Sequence, residues 1–294
     1  MEEFSQDLFN KVKKIEIAAK QKALSQLSGM YLSRFKGRGI EISEVREFQE
    51  GDDPRALSAS KSAQFAKPYV KLFSEERDLT VMIVVDLSAS CDFTSAFETK
   101  RERIAQVAAL ISFSAIYNHD RVGLLLFSDI KEKYIPPKRG AQHGARIIRE
   151  LLGFRPKNKG TNIANALKSL NHVMHKRGII FLISDFIADH YQNEFLTTAK
   201  KNDLVCVRIF DPKEEVLIPM GLICLQDLET LRPLVIDLND TVCEKYAAER
   251  KSALGAYNDL VKRSKSDNIE ISTTSNFIEQ IRNYFILRKK LHPL

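Results

Sequence analysis

The sequence predicts an α/β fold in which a doubly wound, mostly parallel sheet (Rossmann-like) carries a small additional β element. Residues 81–85 and 179–183 are short apolar runs bounded by polar residues, as expected for strands that are buried on both faces. Such runs alternate with helical patterns along the middle of the chain, which is the element order of a doubly wound sheet. Ligands of these sheets bind beyond the carboxyl ends of the strands.

The N-terminal part, residues 1–78, is predicted to form a helix and a β extension. Apolar residues recur at near-helical spacing over residues 5–27, and residues 40–48 alternate between apolar and polar like a half-exposed strand. A second extended segment is predicted over residues 68–73. We expect these segments to form a small lobe or an edge layer beside the main sheet.

The core of the fold is assigned to residues 79–211. After the first strand, a helix with apolar residues around most of its circumference is predicted over residues 97–118, so it should pack on several sides. The remaining core elements are predicted as strands at 122–127, 179–183 and 204–210, a short hairpin strand at 131–135, and helices at 141–152, 161–174 and 191–201.

The last third of the chain departs from this alternation. Two extended runs, 221–225 and 233–238, predict a β-hairpin insertion within residues 212–240. Residues 241–294 are assigned to C-terminal helices, which are predicted at about 240–264 and 276–290, with a possible last strand at 269–271 that completes the core.

Composition limits the class of protein. The 294 residues are 44% hydrophobic and 28% charged, which is ordinary for a soluble globular protein. No apolar run approaches the roughly 18 residues of a membrane span, and the acidic, polar N-terminus does not resemble a secretory signal. The four cysteines form no C-x-x-C pair, so we expect buried thiols in a cytoplasmic protein.

The net charge of +7 is concentrated in residues 131–160, which we call the basic segment. It contains nine basic and two acidic residues and so accounts for the whole excess. It is either an ordinary solvated surface or a positive surface that attracts an acidic partner. Nucleic acid is a less favoured partner, because the segment has one Tyr, one Phe and no RNA-recognition motif. The basic residues are Lys131, Lys133, Lys138, Arg139, Arg146, Arg149, Arg155, Lys157 and Lys159.

Polar residues follow the predicted strand ends. Asp86, Ser88 and Ser90 come directly after the first core strand, at alternate positions that can face one centre. Thr161 opens a helix, and Asp185 follows the strand at 179–183. Hard oxygen donors of this kind suit Mg²⁺, with Mn²⁺ or Ca²⁺ as alternatives. We therefore predict a metal site formed by Asp86, Ser88, Ser90, Thr161 and Asp185.

The donor types also predict what the site does. If Ser88, Ser90 and Thr161 bind the ion directly, all direct ligands are neutral, and the two aspartates act through water or by orienting the hydroxyls. An ion that is so little neutralised keeps an open position for a carboxylate from a partner. Because no general base is evident, the pattern predicts a protein-interaction module rather than an enzyme.

The five predicted ligands together resemble the metal-ion-dependent adhesion site of von Willebrand factor A domains. In those domains a D-x-S-x-S motif after the first strand is completed by a distant Thr and a later Asp. Here the motif is residues 86–90, and the matching residues are Thr161 and Asp185. The resemblance implies a von Willebrand factor A-like core that binds Mg²⁺ at this position.

Further motifs resemble the bacterial domain-of-unknown-function fifty-eight family across residues 5–240. Family members are often encoded beside MoxR-type AAA+ ATPases, so the resemblance implies an adaptor or chaperone-like partner of such an ATPase. The chain departs from the family after Arg55, where Leu57-Ser58-Ala59 and Ala63-Gln64 replace a stretch that contains an Asp, a Trp and an Arg. The motifs are F-K-G-R-G-I-E at 35–41, E-V-R-E-F at 44–48, G-D-D-P-R at 51–55, D-R-V-G-L at 120–124 and F-L-I-S-D-F at 181–186.

The alternative hypothesis is a metal-dependent, phosphatase-like hydrolase that uses Asp86. Phosphatases of the haloacid dehalogenase type also begin with an apolar strand that ends in Asp. They need a second Asp two residues later as general acid, and Ser88 stands there instead. The hydrolase hypothesis is therefore the less favoured one.

Overall fold

A central six-stranded sheet organises the chain. The computed structural model describes residues 14–15, 17–23, 41–49, 52–53, 57–65, 67–74, 79–93 and 99–291. The strands are β1 Glu41–Glu47, β2 Tyr69–Ser74, β3 Thr80–Asp86, β4 Arg121–Phe127, β5 Lys131–Lys138, β6 Ile179–Ser184, β7 Asp203–Phe210, β8 Gly221–Gln226, β9 Pro233–Leu238 and β10 Asp267–Ser272. The helices are α1 Ala59–Phe65, α2 Lys100–Tyr117, α3 Ala141–Gly153, α4 Ile163–Val173, α5 Gln192–Lys201, α6 Asp240–Ser264 and α7 Phe277–Leu291, besides short helical turns at Ala89–Asp92 and Pro212–Glu215.

The strand order in the main sheet is β10-β7-β6-β3-β4-β5. β3 pairs in parallel with β4 and β6, β6 with β7, and β7 with β10, whereas β5 is antiparallel to β4. The order reverses at β3, because the chain continues to β4 on one side of this strand and returns with β6 on the other. A ligand crevice is therefore expected beyond the carboxyl ends of β3 and β6.

Alternate residues of β3 face opposite sides of the sheet, and each side is covered by helices. Val81, Ile83 and Val85 pack in one cluster with residues of α2, α3 and α7. Met82 and Val84 pack in another cluster with residues of α4, α5 and α6. All five side chains are fully buried. Since both faces of the sheet are covered, the predicted doubly wound α/β fold is confirmed.

The start of α2 is specified by its own residues. The Thr99 hydroxyl accepts a hydrogen bond from the Glu102 N–H, and the Glu102 carboxylate accepts one from the Thr99 N–H, which forms a capping box. Lys100, the first helical residue, is buried. Of residues 104–115, all but Gln106 are buried, so the helix packs on several sides as its composition indicates.

The smaller β elements stand apart from the main sheet. β1 and β2 form one antiparallel pair, and β8 and β9 form another.

One edge of the main sheet is longer than predicted. β5 continues through Pro136 and Pro137, beyond the predicted end at residue 135, because an edge strand tolerates proline. The sequence patterns do not predict α1. The domain boundaries at residues 78, 211 and 240 stay predictions.

Part of the N-terminal prediction can be compared with the structure. Residues 17–22 are helical, in agreement with the helix predicted over residues 5–27. The parts of that helix before residue 14 and after residue 23 lie outside the described residues. The same holds for the motif at 35–41 up to residue 40.

The β8–β9 hairpin, residues 221–238, is exposed on both faces, and we call it the arm. Leu234 and Val235 point to opposite faces of β9 and are 57% and 64% exposed. Cys224 lies on the arm and is exposed, so the expectation of buried thiols is wrong for this residue. The other three cysteines are buried, and all four are free.

Candidate functional site

The predicted site residues lie at the carboxyl ends of neighbouring strands. Asp86 is the last residue of β3, and Ser88 and Ser90 follow in the adjoining turn. Asp185 directly follows β6, which pairs with β3. Thr161 lies two residues before α4. The sheet itself therefore brings four of the five residues to one edge, and separate loop contacts bring Thr161 there.

Asp86 is fully buried and is held by two hydrogen bonds. Its Oδ1 accepts from the Ser88 N–H at 2.9 Å, and its Oδ2 accepts from the Ser184 hydroxyl at 2.7 Å. Burial and the nearby Asp185 carboxylate raise the pKa of Asp86 to about 7. The orientation of this carboxylate is thus fixed, and additional positive charge in the site favours its ionised form.

The Ser88 and Ser90 hydroxyl oxygens are 3.0 Å apart. Ser88 is buried and Ser90 is half-buried, so the pair leads from the interior towards the surface. The neighbouring Cys91 thiol donates to the Asp86 carbonyl at 3.4 Å. Burial is the main cause that raises the pKa of Cys91, and the charge of Asp86 is the second. This thiol therefore stays protonated and poorly reactive.

The loop that carries Thr161 is docked against the turn that carries the two serines. The Ala89 N–H of that turn donates to the Lys159 carbonyl at 2.9 Å. Glu132 holds the start of the loop, because its Oε1 accepts from the backbone N–H groups of residues 157–158 at 2.9 and 3.2 Å. These contacts place Thr161 at the same edge of the sheet as the serines.

Lys100 brings a buried positive charge to the site. Its Nζ is 3.3 Å from Asp185 Oδ2 and 2.8 Å from Glu214 Oε2. Burial by itself lowers the pKa of Lys100, but the Asp185 and Glu214 carboxylates raise it more, so the net pKa lies above the ordinary value. The ammonium group therefore stays charged, and Asp185 has a cationic partner.

Thr161 donates its hydroxyl hydrogen to a carboxylate of the arm. Thr161 Oγ1 is 2.8 Å from Glu229 Oε1. Glu229 lies in the turn between β8 and β9. An acidic side chain of the chain itself therefore reaches one of the predicted metal ligands, although the two residues are 68 positions apart.

The donor set fits a hard cation such as Mg²⁺. Ligands about 2.1 Å from an octahedral Mg²⁺ are about 3 Å from their nearest neighbours, which matches the 3.0 Å between the Ser88 and Ser90 oxygens. The same distance suits a hydrogen bond between two hydroxyls, so the pair can keep one arrangement with or without an ion. Among the described residues, no group of three or more His, Cys, Asp or Glu side chains could hold a metal. The predicted site does not consist of such a group, because three of its five donors are hydroxyls.

Three further residues belong to this site and are not predicted by the sequence patterns. Ser184 stands beside Asp185 in the sequence, and its role becomes visible only through its bond to Asp86. Lys100 gives no signal, because a lysine at a helix start is normally exposed. Glu229 gives none either, since acidic residues are common in hairpin turns.

Eight of the nine basic side chains of the basic segment are exposed, and the end of the segment lies beside the site. Lys157 and Lys159 are exposed and belong to the loop that carries Thr161. Lys133 is engaged within the protein, because its Nζ lies 2.6 Å from Glu150. Positive charge is therefore present next to the predicted metal ligands.

Fold and site together define an α/β domain with a polar site, which includes a buried lysine, at the carboxyl ends of its central strands. Over residues 44–254 the chain matches the family model described as "Protein of unknown function DUF58". The chain belongs to this family, as its motifs predict. The more specific von Willebrand factor A-like assignment stays a prediction.

Relatives in this family are themselves uncharacterised. The uncharacterised protein Rv1480 of Mycobacterium tuberculosis is 30% identical over 243 residues, which cover 80% of this chain and 77% of the relative. The uncharacterised protein Mb1516 of Mycobacterium bovis has the same identity and coverage. These relatives support the family membership and assign no activity.

Solved structures show a partial likeness. The conserved hypothetical protein BatB from Bacteroides thetaiotaomicron has a TM-score of 0.47 and 13% identity, over 72% of this chain and 99% of that chain. An aerotolerance-related membrane protein from Bacteroides fragilis has a TM-score of 0.49 and 14% identity, over 73% of this chain and 100% of that chain. At these scores neither structure informs the function of this chain. Within the described ranges, this chain has no helix long and apolar enough to cross a membrane.

Proposed function

We propose that this chain is a Mg²⁺-dependent protein-interaction module in which an acidic side chain of a partner completes the metal shell. The observation that carries the proposal is the Ser88–Ser90 oxygen separation of 3.0 Å beside a buried, fixed Asp86. It matches one edge of a Mg²⁺ octahedron. Mn²⁺ and Ca²⁺, which also take oxygen ligands, are the alternative ions.

Each residue has a separate part in this proposal. The hydroxyls of Ser88, Ser90 and Thr161 bind the ion directly. Each Asp86 oxygen accepts one hydrogen bond, from the Ser88 N–H or the Ser184 hydroxyl, and keeps a second lone pair that can accept from a metal-bound water. Asp185 adds negative charge that Lys100 partly balances. Mg²⁺, when bound, would keep most of its positive charge, because its direct ligands are neutral. It would also offer an open coordination position to a carboxylate.

The hydrolase alternative gains no support from the geometry around Asp86. A nucleophilic carboxylate needs an oxygen that can reach a substrate. The Asp86 side chain is fully buried, and hydrogen bonds from the Ser88 N–H and the Ser184 hydroxyl fix its position, so it is not free to reach out to a substrate. We therefore propose that the protein binds a partner and is not an enzyme. A screen with p-nitrophenyl phosphate tests this, because turnover that needs both Mg²⁺ and Asp86 contradicts it.

The proposed partner is a MoxR-type AAA+ ATPase, or an acidic client of that ATPase, in the cytoplasm. The family resemblance supports the ATPase, and the exposed Lys157 and Lys159 beside Thr161 support an acidic contact surface. A pull-down with the tagged full chain, in Mg²⁺ and in chelator, tests the partner. Recovery of the ATPase in Mg²⁺ and its loss in chelator are expected; equal recovery in both contradicts metal-dependent binding.

Calorimetric titration with Mg²⁺ tests the site directly. Thr161→Val and Ser90→Ala each remove one hydroxyl donor with little change in volume, so each should weaken Mg²⁺ binding at least about tenfold. Thr197→Val is the matched control, because the Thr197 hydroxyl is exposed and bonds to the Asn193 carbonyl on α5. Unchanged affinity in both site variants contradicts the metal site.

A further inference from the structure

We infer that Glu229 is an internal ligand of this site and holds the position that the acidic side chain of a partner takes when it binds. The inference rests on the proposed function and adds a means of regulation to it. The arm and the partner compete for one place, so the ligand class that displaces the arm is an acidic peptide.

The Glu229 carboxylate lies against the loop that supplies Thr161. Its Oε1 accepts from the Thr161 hydroxyl at 2.8 Å, and its Oε2 is 3.7 Å from the point where a Cβ on Gly160 would stand. This is an ordinary van der Waals distance, so the carboxylate lies directly beside the Gly160 backbone. The bond joins a hydroxyl to an acidic group, and such charge-assisted bonds are the stronger kind.

The turn at the tip of the arm, residues 227–232, holds Glu229 in a fixed position. One oxygen of the Asp227 carboxylate accepts from the N–H groups of Glu229 and Thr230, at 2.9 and 2.7 Å. The chain then passes through Leu231 with φ of 58°, a left-handed conformation that is uncommon for this residue type. The shape of the turn is thus set within the arm, and Glu229 is already positioned to reach the site.

The strands of the arm are mostly exposed, and its base is anchored. Leu222 is 76% exposed on β8, and Leu234 and Val235 are 57% and 64% exposed on β9. Leu238, at the base, is buried. Because a two-stranded hairpin with little burial is marginally stable, the polar contact at Glu229 contributes strongly to holding the tip. Loss of this contact should let the tip move while the base stays in place.

An internal ligand lowers the apparent affinity of an external one. A tethered group acts at an effective concentration on the order of millimolar. A simple acidic peptide therefore binds weakly while Glu229 holds the site, whereas a protein that also contacts the basic segment can displace the arm. Removal of the Glu229 charge should raise the affinity for a simple acidic peptide about tenfold.

The test uses the full chain and a fluorescent synthetic peptide with the sequence of residues 226–232. Glu229→Gln keeps the size of the side chain and removes its charge. Asp237→Asn is the matched control, because Asp237 is an exposed carboxylate on the same arm. In Mg²⁺, fluorescence anisotropy should show about tenfold tighter peptide binding by Glu229→Gln than by the wild type or the control. A peptide with Gln in place of its Glu should not bind.

Hydrogen exchange and calorimetry complete the experiment. Exchange over the tip, residues 226–232, should rise about tenfold in Glu229→Gln and stay unchanged in Asp237→Asn. Equal peptide affinity in all three proteins, or no peptide binding by Glu229→Gln, overturns the internal-ligand inference, and normal Mg²⁺ uptake in the same samples then leaves the proposed function standing. If neither the wild type nor Glu229→Gln takes up Mg²⁺, the proposed function is overturned and the inference with it.

Discussion

Lys100→Met is the most informative single change in the core of the site. The substitution keeps an unbranched side chain of similar length and removes the ammonium group. Lys100 is 1% exposed, and its Nζ contacts Asp185 at 3.3 Å and Glu214 at 2.8 Å. Removing the charge leaves the Asp185 carboxylate buried beside Asp86 with no lysine to balance it.

The expected loss follows from the burial of these groups. Removing one partner of a buried ion pair costs about 3–5 kcal/mol, because the remaining charge is left uncompensated. Lys133→Met is the matched control: its Nζ also contacts a carboxylate, Glu150 at 2.6 Å, but both side chains are partly exposed. Pairs of that kind contribute about 0–1 kcal/mol. The difference between the two lysines therefore measures burial rather than charge alone.

Urea unfolding at pH 7, followed by circular dichroism, measures both variants. Lys100→Met should lose about 3–5 kcal/mol of unfolding free energy, and Lys133→Met at most about 1 kcal/mol. Lys100→Met combined with Glu214→Gln should lose less than the sum of the two single changes, because the pair is coupled. A loss below about 1 kcal/mol for Lys100→Met, with a normal circular dichroism spectrum, refutes the compensating role of Lys100.

Three further predictions concern other parts of the fold. Burial lowers the pKa of His143 below its ordinary 6.5, so the unfolded chain binds a proton at this residue more readily than the folded chain does. The unfolding free energy should therefore fall as pH drops from about 7.5 to 5.5. In urea titrations His143→Gln should show a smaller fall than the wild type, and an identical fall contradicts the reasoning. Cys224, the exposed cysteine, should react with Ellman's reagent in the folded protein, whereas the three buried thiols should react only after denaturant is added. Rapid reaction of a second thiol in the folded protein contradicts the described burial. Gly178→Ala should lower the unfolding free energy by about 1–3 kcal/mol or more, because the new Cβ lies 2.6 Å from the Thr80 carbonyl oxygen. Gly255→Ala, inside α6 with no atom within 4 Å of the new Cβ, should raise it by about 0.5–1 kcal/mol. A thermal melt in which either variant shifts stability in the other direction contradicts that prediction.

Much of the fold is predictable because its signals are local. The strand at 179–183 is a continuous apolar run, and a run of that kind is satisfied by burial on both faces whatever lies elsewhere in the chain. α6, observed at Asp240–Ser264, has the predicted bounds because its helical pattern is long and its cap, Asn239, is adjacent. α1 is missed, because its polar, serine-rich sequence has no apolar periodicity.

The candidate site divides in the same way. Asp86, Ser88 and Ser90 lie within one strand end and its turn, so their proximity follows from local geometry. The meeting of Asp86 with Asp185 follows from the rule that parallel strands end at one edge. No local rule assigns a role to Lys100, because burial turns an ordinary surface residue type into the counter-charge of the site.

The strands, their alternation with helices, and the polar residues that end β3 and β6 follow from residue patterns alone. These features depend on residue type and spacing over a few positions. The tertiary structure alone decided that Lys100 meets Asp185, 85 positions away, and that Glu229 meets Thr161, 68 positions away. The physical reason is that ion pairs and hydrogen bonds between distant residues depend on how the sheet, the helices and the arm pack, and one carboxylate in a hairpin turn carries no signal of what it will contact.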